Sequence, residues 1–183
     1  MGPESLSFPL SSPACDPARV ESPAPTFRDE VAPGDAAAVG ALVSATGFFS
    51  AEESAIAVEL VEDYLKRGRD SGYRFIFAKD AGRLAGYVCF GPIPLTRVSF
   101  DLYWIAVQPD LQRTGLGRRL LTMAEATARD LGGASMYVDT SSRAQYAPTR
   151  LFYRRLGYRL AAEFPDFYAP GDGKVVFVKR LTS

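Results

Sequence analysis

The stretch Gln112-Arg113-Thr114-Gly115-Leu116-Gly117 stands where an apolar run ending at Val107 gives way to a helical pattern, and chemistry concentrates there. Glycines at a strand-to-helix turn let a ligand approach the backbone closely, and the free amides and dipole of a helix N-terminus favour an anion. Arg118 and Arg119 follow directly. Cations in a first helical turn oppose the macrodipole by ~0.3–1 kcal/mol each, so stability alone favours acids there, and a bound phosphate reverses that sign. A tight turn with two solvated arginines is the plainer reading of the same residues, and the stretch alone leaves both open. A dinucleotide-binding GxGxxG fits poorly, because Leu120 stands where its third glycine belongs, and the Gly-Lys-Ser/Thr of a P-loop is absent.

The 183 residues include no histidine. That removes Ser-His-Asp and Cys-His nucleophile systems, HExxH metalloproteases and His-ligated zinc. Acid–base work falls to Asp, Glu, Tyr, Lys, Cys or water. Cys15 and Cys89 form no CxxC pair and are too few for a disulfide framework or a Cys-only zinc site, so no metal is expected. Cys89 reads as a small apolar strand residue of a reduced, cytoplasmic protein. Lys+Arg and Asp+Glu both total 21, and this zero net charge argues against a general electrostatic grip on nucleic acid or on an anionic membrane. No signal peptide or myristoylation pattern is evident. The longest uncharged run, between Asp35 and Glu52, is too short and too broken by Gly, Ser and Thr to span a bilayer.

These residues need a frame to hold them. Residues 1–25 interleave Pro3, Pro9, Pro13, Pro17, Pro23 and Pro25 with serines, which predicts a tail unable to order itself alone. From Thr26 to the end, one domain is expected. Thr26–Val31 reads as a short strand, and Pro33-Gly34-Asp35 starts a helix that Gly47 ends. Ser50-Ala51-Glu52-Glu53 fits a capping box opening a second helix that stops near Gly68. Tyr73–Lys79 and Arg83–Phe90 are apolar strands joined by Asp80-Ala81-Gly82, a hairpin signal, and Ser99–Gln108 is a third long strand. Leu116–Leu131 carries Leu116, Leu120, Ala124, Ala128 and Leu131 down one helical face, and Gly132-Gly133 ends it. Ser135–Thr140 is a strand, Pro148 begins a short helix closed by Gly157, and Tyr158–Phe164 with Lys174–Leu181 make a last pair. The fold class is α+β: a mixed, mostly antiparallel sheet with at least one βαβ crossover.

In this order the motifs resemble the GNAT superfamily of N-acetyltransferases. Gln112 to Gly117 is similar to its pyrophosphate loop, (Gln/Arg)-x-x-Gly-x-(Gly/Ala). The strand Leu102-Tyr103-Trp104-Ile105-Ala106-Val107 precedes the loop, and Leu151-Phe152-Tyr153-Arg154-Arg155-Leu156-Gly157-Tyr158 resembles the superfamily's Tyr-bearing helix. Phe27-Arg28 with Asp35 resembles the opening strand and helix, so the likeness runs over roughly residues 26–182. It implies a splayed strand pair holding acetyl-CoA as co-substrate. Backbone from Gln112, Arg113, Thr114, Gly115, Leu116, Gly117 and Arg118 would hold the pyrophosphate. Ile105, Ala106 and Val107 would pair with the pantetheine arm. Tyr153 matches the tyrosine that donates to the departing thiolate. Tyr146 and Thr149 depart from the Asn and Ala that many members carry, which puts one cofactor contact in doubt.

A substrate amine with a pKa near ~10.4 needs a proton acceptor at neutral pH. Asp101, eleven residues before Gln112, matches a strand position where some members hold a catalytic glutamate, and period-2 alternation places it with Tyr103, Ile105 and Val107. It reads equally as a strand-end acid that pairs with a nearby arginine or caps a turn. Asp139 and Glu30 are weaker candidates for the base. Tyr153 without the motif is a half-buried core tyrosine. Trp104 is expected on the face opposite Asp101 and Tyr103, in the core, as are Tyr73, Phe75 and Phe77. Phe48 and Phe49 read as core residues between the first two helices, where members bind the acceptor; Asp166-Phe167-Tyr168 and the Gly171-Asp172-Gly173 turn read as a hairpin tip, with a border of the acceptor pocket as the alternative. The implied activity is transfer of an acetyl group to a primary amine by direct attack in a ternary complex. A non-catalytic acyl-CoA sensor or scaffold is the alternative. A small-molecule or amino-acid-like amine is favoured over a protein lysine, and a homodimer is compatible with the family.

Overall fold

The structure is a computed structural model that describes residues 24–181; the expected tail lies almost wholly outside the described residues, and so does Cys15. The elements run β1 (Thr26–Arg28), α1 (Asp35–Ala45), α2 (Ala51–Arg67), β2 (Arg74–Asp80), β3 (Arg83–Pro92), β4 (Ser99–Val107), α3 (Leu116–Asp130), β5 (Ser135–Ser141), α4 (Ala147–Arg155), β6 (Arg159–Ala169) and β7 (Asp172–Arg180), with short 3-10 turns between some of them. The seven strands form one sheet in the order β1-β2-β3-β4-β5-β7-β6. Only β4 and β5 are parallel, joined by the right-sized crossover through α3. This is the α+β architecture expected from the sequence, with four α-helices flanking the sheet.

Each face of the sheet has its own core. Helices α1 and α2 bury Val39, Leu42, Val43, Ala57 and Val61 against Phe75, Phe77, Tyr87 and Cys89. On the other face, α3 lays Leu116, Leu120, Leu121, Ala124 and Ala128 over Val88, Phe90, Phe100, Leu102 and Met136, with Tyr153 of α4 alongside. Leu131 does not continue that stripe; it lies past the helix end and is 48% exposed. Strand β1 is shorter than Thr26–Val31 because Asp35 turns the chain: its carboxylate accepts from the Ala32 amide at 2.7 Å and pairs with Arg28. The β2–β3 hairpin closes on Ala81 and Gly82, both at positive φ, as its turn residues predict. Strand β6 runs on to Ala169, beyond the expected Phe164, because it pairs along β7 as the sheet's outer strand.

The consequential departure lies in β4. Its pairing with β3 runs Ile105 to Val88 and Trp104 to Cys89, then shifts so that Leu102 pairs with Phe90. Tyr103 is the extra residue of a β-bulge, and a bulge breaks the period-2 alternation of side chains. Phe100 and Leu102 face α3, and beyond the bulge Ile105 and Val107 do so as well. Tyr103, Trp104 and Ala106 face α1 and α2. The expected grouping of Asp101 with Ile105 and Val107 is therefore wrong, although its grouping with Tyr103 holds. Trp104 shares the face of Tyr103 instead of opposing it, for the same reason.

The Tyr87 hydroxyl is buried in the α1–α2 core without a hydrogen-bond partner among the described residues. An orphaned buried hydroxyl costs about 1–3 kcal/mol. Tyr87→Phe is therefore expected to raise Tm by roughly 2–4 °C per kcal/mol recovered, read by thermal unfolding. A lower Tm would mean that the hydroxyl has a bonded partner.

Candidate active site

Helices α2 and α3 open in opposite ways. At α2, Ser50 and Glu53 satisfy each other's backbone amides, the capping box expected from the sequence. At α3 the N-cap is Gly115, which has no side chain to offer, and no acid stands in the first turn. The Arg119 amide donates to the Gly115 carbonyl at 3.0 Å, which leaves the amides of Leu116, Gly117 and Arg118 directed out of the helix end. Gly115 has φ +94°, and a Cβ placed there would meet nothing within 4 Å, so the space over the loop is open. Arg113 also adopts the left-handed region, at φ +63°. Within the loop, Thr114 Oγ1 donates to the Leu111 carbonyl at 2.7 Å, and the Gln112 side-chain Nε2 donates to the Val107 carbonyl at 3.3 Å. The guanidinium of Arg119 lies 4.3 Å over the Phe27 ring, whereas Arg118 is exposed at the open helix end. Such an end, with no cap and no acid but a cation, fits an anionic group.

The loop lies at the end of a strand with a free edge. Strands β4 and β5 pair from Ser99–Ser135 to Leu102–Val138 and then part, at the bulge. The Gln108 amide donates to the Ala85 carbonyl at 2.9 Å, so by antiparallel alternation Ala106 also turns its amide and carbonyl to β3. The amides and carbonyls of Ile105 and Val107 then point to the side that β5 has left. Of the three residues expected to pair with a pantetheine arm, these two have the groups to do so.

Tyr153 lies on the α3–α4 face, 4% exposed, packed against the rings of Tyr158 at 5.6 Å and Phe177 at 6.1 Å. Burial pushes its phenol far above the ordinary value, so it stays protonated and able to donate. Asp101 lies on the opposite face, half-buried. Burial first, and the Asp139 charge second, push its carboxyl up, while Lys174 pulls it down. Lys174 is ion-paired with Asp139, which gives Asp139 a structural partner. Glu30 is exposed in the loop after β1, at the sheet's far edge.

Aromatic rings share the face of Asp101. Tyr103 meets Tyr73 edge-on at 5.3 Å, and Trp104 meets Phe49 at 5.0 Å. Phe75 and Phe77 are core residues as expected, but Phe48 is 38% exposed and its carbonyl accepts from the Tyr146 hydroxyl at 3.4 Å. Tyr146 thereby ties the start of α4 to the α1–α2 loop. Phe167 and Tyr168 belong to β6, 57% and 51% exposed, not to a hairpin tip. Among the described residues, no three His, Cys, Asp or Glu side chains gather as a metal site would need, and no helix is long and apolar enough to cross a membrane.

Comparison with known proteins agrees with this geometry. Residues 42–158 match the sequence model of the acetyltransferase (GNAT) family. The chain is 40% identical over 103 residues to the blasticidin-S acetyltransferase of Streptomyces morookaense, across 56% of this chain and 70% of that protein. It is 35% identical over 83 residues to the ribosomal protein bS18 alanine N-acetyltransferase of Escherichia coli (strain K12), across 44% of this chain and 55% of that one. A crystal structure of a GNAT-family protein from Desulfovibrio desulfuricans superposes with TM-score 0.85 at 43% identity, over 87% of this chain and 100% of that one.

The open helix end yields a paired test. Gly115→Val puts a branched side chain into the open space and forces a left-handed φ on it. Affinity for CoA should fall about tenfold or more, about 1.4 kcal/mol, with a strain cost in stability of about 1–3 kcal/mol. Gly117→Ala is the control: its Cβ would meet Phe152 and Val107 at an ordinary 3.7 Å, so affinity should hold. Calorimetry that finds CoA bound equally well by folded Gly115→Val would make the loop a simple turn.

Proposed function

Because the chain belongs to the acetyltransferase (GNAT) family, whose enzymes are acyl-CoA-dependent N-acetyltransferases, we propose that it moves an acetyl group from acetyl-CoA to a primary amine by direct attack in a ternary complex. The observation that carries this reading is the edge of β4 left where β4 and β5 part, which leads into the uncapped start of α3, with Asp101 and Tyr153 on opposite faces of the sheet. Backbone amides at the start of α3, with Gln112 to Gly115 ahead of them, hold the pyrophosphate. The free edge of Ile105 and Val107 receives the pantetheine, which brings the thioester to the gap.

The acceptor comes from the α1–α2 face. Asp101 takes the proton of the amine, whose nitrogen then forms a bond to the acetyl carbonyl carbon as the carbon–sulfur bond breaks. Tyr153, kept neutral by burial, donates a hydrogen bond to the leaving thiolate, and the second proton that the nitrogen sheds on becoming an amide passes to that sulfur, so free thiol and amide result. A thiol with a pKa near ~8.5 needs little more than that hydrogen bond. Burial suits Asp101 to its task, since a carboxyl raised above its ordinary value is a better base. The acceptor in this reading is a small-molecule or amino-acid-like amine, the class to which the longer of the two sequence alignments points.

Asp101→Asn tests the base with two readouts. Turnover at neutral pH should fall by roughly 10²–10⁴ and partly recover at alkaline pH, where the amine loses its proton unaided. Stability should move the other way. A carboxyl raised by folding contributes its stability below the ordinary value of 3.8 and loses it as pH rises through the raised value. The substitution should therefore raise Tm at neutral pH and give no gain in strong acid. Unchanged turnover would make Asp101 a structural acid.

Tyr153→Phe tests the donor. Turnover should drop on the scale of ~10²–10⁴ while the acetyl-CoA Michaelis constant barely moves, because the hydrogen bond strengthens as the thiolate forms. The defect should shrink with a thioester of a more acidic thiol. A change confined to the Michaelis constant would reduce Tyr153 to a packing residue.

A further inference from the structure

The acceptor face of the sheet narrows what can bind there, and the inference rests on the acetyl-transfer reading. The bulge brings the Trp104 indole to the side that Asp101 and the Tyr103 ring share, and both rings are half-buried, backed by Tyr73 and Phe49. Acids near that face are largely committed. Asp139 is ion-paired with Lys174, and Glu53 accepts from the Ser50 amide at 2.7 Å as part of the α2 cap. Among the described residues Asp101 has no ion-pair partner. The Tyr103 phenol adds no negative charge either, since burial first, then the charge of Asp101, push it up to about 12. The face therefore offers one uncommitted carboxylate beside flat apolar rings.

We propose that the acceptor is a monoamine whose single ammonium is joined by a short linker to a flat aromatic or heteroaromatic ring, with the ring against Tyr103 and Trp104 and the nitrogen at Asp101. Stacked or edge-on rings and an ammonium over an aromatic face are each favourable there. A polycation is poorly matched. Its charges beyond the first meet an apolar ring or the Lys174 ammonium, and a desolvated charge without a partner is costly.

Thiol release from acetyl-CoA, measured with 2-phenylethylamine, n-hexylamine, spermidine and kanamycin, tests the assignment. The kcat/KM for 2-phenylethylamine should exceed that for n-hexylamine about tenfold, the scale of one or two ring contacts, and should exceed those of both polycations by more. In Tyr103→Leu the preference of 2-phenylethylamine over n-hexylamine should fall to near one, while Tyr103→Phe, which keeps the ring, retains it; unfolding curves establish that both variants fold. A native preference near one, a higher kcat/KM for spermidine or kanamycin, or a preference that survives in folded Tyr103→Leu overturns the acceptor assignment and leaves acetyl transfer standing. Thiol release with none of the amines, from a protein that binds acetyl-CoA by calorimetry, overturns the transfer reading itself.

Discussion

Strands β4 and β5 keep four residue pairs and then part, and most of what the molecule can do depends on that parting. Backbone amides and carbonyls inside a protein need partners, so a strand edge released in the middle of a sheet calls for something to pair with it. The bulge at Tyr103 occupies the first position beyond the last pair, where an extra residue bends a strand and increases its twist. The same irregularity thus frees the edge of Ile105 and Val107 and brings Trp104 to the face that Asp101 and Tyr103 share. The uncapped end of α3 follows within a few residues, so the free edge leads directly to free amides.

The electrostatics are local and small in scale. The chain has no net charge, but the face that carries Asp101 sets two carboxylates against one cation: Asp139 is paired with Lys174, and Asp101 has no ion-pair partner among the described residues. Half-burial pushes the Asp101 carboxyl up, and the neighbouring Asp139 charge adds to the effect. On the opposite face the work is done by burial alone, which keeps the Tyr153 phenol protonated. The sheet itself thus separates the Asp101 carboxyl from the Tyr153 phenol.

The helices, hairpin turn and cap of this fold are legible in the sequence because local chemistry decides them. Ser50 and Glu53 form their box, Ala81-Gly82 turns the hairpin, and the stepped leucines of α3 find the core. The loop from Gln112 to Gly117 is legible for the same reason, since glycine at φ +94° leaves few alternatives to a turn. The bulge is not. Tyr103-Trp104-Ile105-Ala106-Val107 is apolar on both faces, so no polar residue marks where the alternation slips, and a strict period of two assigns Trp104, Ile105 and Val107 to the wrong sides. The role of Tyr146 was equally hidden, because its contact with Phe48 spans 98 residues and leaves no local pattern.

The central claim is that the edge of β4 beyond Leu102 is free in the protein and is filled by acyl-CoA. Amide hydrogen exchange at Ile105 and Val107, followed by NMR with and without saturating CoA, measures this directly. Both amides should exchange quickly in the free protein and become protected with CoA, together with Leu116, Gly117 and Arg118, while Met136 and Val138 on β5 stay as they were. Amides at Ile105 and Val107 that are already protected without CoA, or that exchange at the same rate with it, would contradict the claim.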